Sequence, residues 1–213
     1  MLTKKRIAVV YDTSFLVGKG RSVKQFIMAQ RISSRPRPGP VGSLLAKLTG
    51  KERDQKAYHP PDNLFVVVEV IPSEVIAEVE KHPDKEGGLK LITELLADQA
   101  DEFALIADTI AGRVVSGRPS EPEIDPNDVD EMLVRYAGRL GAPQTKEHYD
   151  LVLVATGDNT ITKSLAEVNN VYIVGPEDLK APSGLRGRLA EVVNAGRPDK
   201  LTIEDGANER RRE

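Results

Sequence analysis

Short apolar runs that alternate with helix-like segments place the strongest constraint on how this 213-residue chain can fold. Four of these runs have the length and composition of buried strands, and they lie at residues 7–11, 64–71, 151–155 and 171–174. Parallel strands need a crossover between them, and a helix usually provides it. The order therefore predicts an α/β fold, with a mainly parallel sheet of about four to five strands flanked by helices on both faces.

Apolar residues recur at helical spacing between the predicted strands. Ser22 can cap one helix, and Asp125 with Pro126 has the pattern of an N-cap followed by the first helical residue. Beyond the helix after Ser22, the spacing predicts helices over residues 73–79, 89–115, 126–140, 161–168 and 185–193.

Proline and glycine divide the rest of the chain. Residues 33–42 read SSRPRPGPVG and predict a loop or flap, because proline is excluded from helix interiors and central strands. We therefore expect a single domain over 1–195 with a basic, Pro/Gly-rich insertion at about 33–60. The polar residues 196–213 predict a flexible tail.

The composition excludes several classes of protein. The sequence contains no cysteine, which rules out disulfide scaffolds, zinc fingers, iron–sulfur clusters and thiol nucleophiles. No apolar stretch approaches a membrane span, and the apolar run at residues 7–10 is too short for a signal peptide. The expectation is a cytoplasmic protein with no membrane partner.

Charge is distributed unevenly along the chain. Residues 1–56 hold 13 lysines and arginines against 3 acids, whereas residues 57–213 hold 17 basic and 30 acidic residues. This difference is typical of a basic surface for a polyanion joined to an acidic body. The alternative is that the two segments neutralise each other across the fold.

Four acids are candidates for a site at one edge of the sheet. Asp12 and Asp158 follow the first and third predicted strands, Glu78 lies on the helix after the second strand, and Asp130 lies in the first turns of the predicted 126–140 helix. In parallel α/β sheets, functional groups gather beyond the carboxyl ends of the strands. Carboxylates brought together repel one another unless a cation neutralises them, and oxygen ligands of this kind suit Mg²⁺ or Mn²⁺. A divalent ion held in this way can activate water for attack on a phosphodiester.

Each acid also has an ordinary structural explanation. Asp12 could end a strand or cap a turn. Glu78 could be a solvated residue on its helix, and Glu74, one helical turn earlier, is the alternative candidate for its role. Asp128 suits an N3 capping position and is a reserve ligand. Asp150 precedes its strand, lies at the wrong end of the sheet, and is expected to be structural.

Four short motifs resemble those of the PIN-domain ribonuclease family and occur in the family's order along the chain. They anchor roughly a third of the chain, with an insertion after the first helix. The motifs are Asp12-Thr13-Ser14, then Pro72 with Val75 and Glu78, then Asp130 with Leu133 and Ala137, and finally Thr156-Gly157-Asp158.

The resemblance implies a metal-dependent ribonuclease that hydrolyses single-stranded or structured RNA with a metal-activated water. Asp12, Glu78, Asp130 and Asp158 would be the catalytic metal ligands for Mg²⁺ or Mn²⁺. Ser14 and Thr156 would steady carboxylates or a bound water through their hydroxyls. The sequence leaves open whether the protein forms a homodimer and whether it binds an inhibitory protein.

Five basic residues are candidates for binding the RNA backbone. They are Lys19, Arg21, Lys24, Arg35 and Arg37. A solvated charge run is the alternative for the basic insertion.

Two other functions compete with a ribonuclease. A PIN-like module that binds RNA or protein without cutting is the main alternative. A phosphatase of the haloacid dehalogenase type also begins with a strand and an aspartate, but it needs a second aspartate where this chain has Ser14. Asp12 and Glu78 lie 66 positions apart, a longer separation than in the compact toxins of the PIN family.

Overall fold

A four-stranded parallel sheet forms the centre of the computed structural model, which describes residues 4–18, 20–34, 57–97, 128–143, 148–197 and 200–205. The strands are numbered in chain order, and this sheet has the order β4-β1-β5-β6 with every neighbouring pair parallel. The predicted α/β fold with a parallel sheet is confirmed. Its strands are β1 (Lys5–Tyr11), β4 (Phe65–Val70), β5 (Leu151–Ala155) and β6 (Val171–Val174).

Helices connect and surround these strands, and a short 3₁₀ turn at Pro61–Asn63 precedes β4. None of the helices in the described ranges has the length and hydropathy needed to span a membrane. The helices are α1 (Thr13–Val17), α2 (Val23–Met28), α3 (Ser73–Lys81), α4 (Lys85–Ala97), α5 (Val129–Gly141), α6 (Asn159–Leu165) and α7 (Ser183–Asn194).

The start of α5 differs from the prediction. Its N-cap is Asp128, whose side chain accepts a hydrogen bond from the backbone N–H of Glu131, so the helix begins at Val129 rather than at Pro126. Asp128 can cap because its carboxylate satisfies an N–H that the first helical turn leaves without a partner. Asp125 lies outside the described residues, as do residues 98–115 of the predicted 89–115 helix.

A second sheet is antiparallel and was not predicted. It has the order β3-β2-β7, formed by β2 (Gln30–Ser34), β3 (Ala57–His59) and β7 (Leu201–Asp205). The expected insertion at 33–60 is thus bounded by two paired strands, while residues 35–56 lie outside the described ranges. The expected flexible tail is wrong over 201–205, because this segment pairs with β2 along its full length and buries Leu201.

The core surrounds β1, which lies between β4 and β5. Residues 7–11 of β1 and 151–155 of β5 are all fully buried. Burial on both faces explains why these strands are continuous apolar runs instead of alternating patterns. The stripe predicted for α5 packs against the same core through Met132, Leu133, Tyr136, Ala137 and Leu140.

Candidate active site

Asp12 is the first residue after β1 and the N-cap of α1. Its side chain is 3% exposed, and its Oδ2 accepts hydrogen bonds from Ser14 Oγ at 2.5 Å, Thr156 Oγ1 at 2.8 Å and Ser14 N at 3.3 Å. A buried carboxylate is tolerated only with such donors. The bonds orient Asp12 through one oxygen, and no described residue donates to Oδ1.

The segment after β5 supplies the second acid. Thr156 Oγ1 accepts from Asp158 N at 2.9 Å, and Ser14 Oγ accepts from Gly157 N at 2.8 Å. Asp12, Ser14, Thr156 and Asp158 are therefore joined by a continuous set of hydrogen bonds. The roles expected for Ser14 and Thr156, orienting a carboxylate through their hydroxyls, match the contacts of these side chains.

Asp158 is also the N-cap of α6. Its Oδ1 accepts hydrogen bonds from the backbone N–H groups of Thr160 and Ile161. The bond from Thr160, followed by that from Ile161, holds the pKa of Asp158 below its ordinary value. A capping aspartate keeps its second oxygen for other ligands, so the capping role does not exclude a metal role.

Glu78 lies on α3 and reaches α1. Thr13 Oγ1 donates a hydrogen bond to Glu78 Oε2, which places the carboxylate next to the segment that carries Asp12. Its competitor Glu74 instead accepts a hydrogen bond from Ser73 in the first turn of α3. Sequence reasoning missed the contact of Thr13, although its position inside the Asp-Thr-Ser motif was a signal that could have found it.

Asp130 lies in the first turn of α5, and its pKa depends on its burial and on the charges of the other three acids. Burial raises the pKa of Asp130, and the negative charges of Asp12, Asp158 and Glu78 raise it further. The charges of the three other predicted acids therefore act on Asp130. The charge of Asp128 contributes less than these three, and its carboxylate caps α5.

The donor set suits a hard divalent cation, because it consists of carboxylate oxygens with adjacent hydroxyls and contains no sulfur or imidazole. Within the described ranges, no group of three or more acidic or imidazole side chains is close enough to hold a metal ion as it stands. The four acids therefore share one electrostatic environment without forming a complete coordination sphere.

Two of the five candidate RNA-binding residues fall in described segments. Arg21 is exposed in the turn between α1 and α2, and Lys24 is half-buried in the first turn of α2. Lys19, Arg35 and Arg37 lie outside the described residues.

Asp150 lies at the opposite end of the sheet from the four acids. It accepts hydrogen bonds from Lys5 Nζ at 2.9 Å and Arg6 N at 2.8 Å. Burial alone would raise the pKa of Asp150, but these bonds outweigh it and hold the pKa below its ordinary value. The structural role expected for Asp150 is confirmed by these contacts.

A buried carboxylate that sequence reasoning missed lies on β4. Glu69 is fully buried and accepts a hydrogen bond from the Tyr11 hydroxyl, one residue before Asp12. Burial and the adjacent Glu69 charge raise the pKa of Tyr11 well above its ordinary value, so the phenol remains a hydrogen-bond donor. A single acid within the apolar run 64–71 carries no local signal that would distinguish it from a surface residue.

Comparison with known proteins adds no relative: the sequence matches no protein-family model and has no significant match among curated proteins.

Proposed function

We propose that this protein is a cytoplasmic, metal-dependent ribonuclease of the PIN type that hydrolyses RNA phosphodiester bonds. The observation that carries the proposal is the environment of Asp130, whose pKa is raised first by burial and then by the charges of Asp12, Asp158 and Glu78. Acids from four separate segments are unfavourable at one place unless a bound cation offsets their repulsion. Asp12 and Asp158 follow the carboxyl ends of the parallel strands β1 and β5, which agrees with a site of chemistry.

Each acid has a defined part in this proposal. Asp12, Glu78, Asp130 and Asp158 would hold Mg²⁺ or Mn²⁺ through carboxylate oxygens that accept no hydrogen bond from the described residues. A bound divalent ion lowers the pKa of a water molecule and stabilises charge on the phosphate. Ser14 and Thr156 orient Asp12 by donating to its Oδ2, and Thr13 orients Glu78.

In this proposal, basic residues bind the RNA backbone. Arg21 is exposed in the turn before α2 and Lys24 is half-buried in the first turn of α2, and both side chains are proposed to bind phosphates. Such contacts supply affinity that depends strongly on salt and little on sequence. Lys19, Arg35 and Arg37 are proposed to bind phosphates of the same RNA.

A second candidate function is a PIN-like module that binds RNA or protein without cutting. The observation in its favour is that no three described side chains converge on a point where a metal ion could sit. Asp158 and Asp128 also serve as N-caps, a structural use that would keep them in a protein without catalysis.

Cleavage of labelled single-stranded RNA separates the two functions. The assay compares Mn²⁺, Mg²⁺ and EDTA for the wild type, Asp12→Asn, Asp158→Asn and the control Asp150→Asn, which removes an acid at the opposite end of the sheet. A ribonuclease requires that cleavage depends on metal, is lost in the first two variants, and persists in Asp150→Asn. Binding without cleavage in every condition would instead establish the non-catalytic module.

A further inference from the structure

Glu69 joins two elements that carry the proposed site. Its Oε1 accepts hydrogen bonds from the hydroxyl of Tyr11 at 2.5 Å, the hydroxyl of Ser22 at 2.8 Å and the backbone N–H of Lys24 at 3.0 Å. The Tyr11 hydroxyl in turn accepts from the backbone N–H of Val23 at 2.8 Å. The last residue of β1 and the start of α2 are therefore held by one buried carboxylate.

The described residues between α1 and α2, which are Gly18 and residues 20–22, also contact α1. Gly20 N donates to Phe15 O at 3.1 Å, and a Cβ at Gly20 would lie 2.6 Å from that same oxygen. This close approach requires glycine, since no side-chain rotation can move a backbone oxygen. The turn that carries Arg21 is thus packed on α1, the helix that Asp12 caps.

A carboxylate is an unfavourable choice for this position unless it does more than fill space. Its neighbours along β4 are valines, and burying a charge carries a desolvation penalty that an apolar side chain avoids. Three hydrogen bonds on one oxygen fix the relative positions of Tyr11, Ser22 and Lys24 more narrowly than apolar contacts would.

We propose that Glu69, through Tyr11 and Ser22, is a positioning residue: it fixes the segment that carries Arg21 and Lys24 against the end of β1, the strand that Asp12 follows, so that both side chains bind RNA phosphates in register with the acids. The inference rests on the proposed function, because it assigns the basic turn to the same RNA. The inference extends that function, because it makes RNA affinity depend on Glu69, a buried residue that contacts neither RNA nor metal.

The test measures RNA affinity separately from cleavage. Fluorescence anisotropy in EDTA gives the dissociation constant of a labelled single-stranded RNA at several salt concentrations for the wild type, Tyr11→Phe and Glu94→Gln. Tyr11→Phe is expected to weaken binding about three- to tenfold and to reduce the salt slope by about 1, because fewer phosphates are contacted. Glu94→Gln changes an exposed glutamate on α4 and leaves both values unchanged.

Coupling to the basic residues distinguishes positioning from a general structural effect. In an Arg21→Gln, Lys24→Gln background, the contacts that Glu69 positions are already absent, so Tyr11→Phe should weaken RNA binding no further. Mn²⁺ affinity, measured by isothermal titration calorimetry, should be the same in Tyr11→Phe and wild type. Ser22→Ala, which removes another donor to Glu69, replaces Tyr11→Phe if the latter does not fold by circular dichroism.

The outcomes separate this inference from the proposed function. Equal RNA affinity in Tyr11→Phe and wild type, or an undiminished loss in the Arg21→Gln, Lys24→Gln background, overturns the positioning role and leaves the ribonuclease proposal intact. A wild type that neither binds nor cleaves RNA overturns both. A wild type that binds without cleaving leaves the positioning role standing for a non-catalytic module.

Discussion

Replacing Thr156 by valine tests the hydrogen bonds that hold the candidate site together. Thr156 is 2% exposed, and its hydroxyl donates to Asp12 Oδ2 at 2.8 Å and accepts from Asp158 N at 2.9 Å. Valine has nearly the same shape, so the change removes the hydroxyl and leaves the packing in place. Thr156→Val is therefore a measurement of the two hydrogen bonds.

The size of the effect follows from the kinds of bond that are lost. A hydrogen bond to a charged group contributes about 1.5–3 kcal/mol, and one between neutral groups contributes about 0.5–1.5 kcal/mol. The bond from Asp158 N to the Thr156 hydroxyl contributes near the lower end of the neutral range. Asp158 is partly exposed, so water can accept a hydrogen bond from its backbone N–H when the hydroxyl is absent. We expect Thr156→Val to lower the free energy of unfolding by about 2–4 kcal/mol.

Urea unfolding followed by circular dichroism at pH 7 provides the measurement, with unchanged m-values as a requirement for comparison. Thr93→Val is the matched control, because the Thr93 hydroxyl is exposed and bonds only the carbonyl oxygen of Leu89 within α4. The control should change stability by less than about 0.5 kcal/mol. Equal losses in the two variants, or full stability in Thr156→Val, would refute the role given to these hydrogen bonds.

Three further changes test other parts of the structure by the same unfolding measurement. Leu201→Ala should cost about 2–5 kcal/mol because Leu201 is buried in β7, whereas a flexible tail would show no loss. Asp130→Asn should stabilise the protein at pH 7 by less than about 1 kcal/mol, since the half-exposed site is screened by solvent. The native pKa of Asp130 is raised, so this gain should fade as the pH falls through that pKa and the wild-type carboxyl is protonated; a gain that persists at low pH contradicts the electrostatic explanation. Gly20→Ala should cost about 1–3 kcal/mol through its contact with Phe15 O, while Gly187→Ala, with open space around its Cβ position, should not destabilise; equal effects of the two would argue against the packed turn.

The central sheet was predictable because its signal is local. The runs at residues 7–11 and 151–155 are buried on both faces, and such strands are apolar at every position. The positions of Asp12 and Asp158 followed from the same runs, since residues after parallel strands meet at one edge of the sheet. The choice of Glu78 over Glu74 came from a motif, and the hydrogen bond from Thr13 supports it.

The second sheet could not be predicted from local patterns. Residues 30–34 and 201–205 are short and mixed in composition, and they pair with each other along their full length. The hydroxyl oxygens of Ser33 and Thr202 are hydrogen-bonded at 2.7 Å, although the two residues are 169 positions apart in the sequence. A helix or strand pattern read over a few residues contains no information about a partner so far away.

The amino-acid sequence by itself determined the parallel core, because a strand buried on both faces is recognisable from residues within a few positions of one another. It also predicted the four acids of the candidate site, through short motifs whose role as a metal site stays a prediction. Only the tertiary structure decided which charges act on Asp130, where β7 pairs, and that Glu69 is buried. These features arise from segments that folding brings together, and the energy of a charge or a strand edge depends on those neighbours.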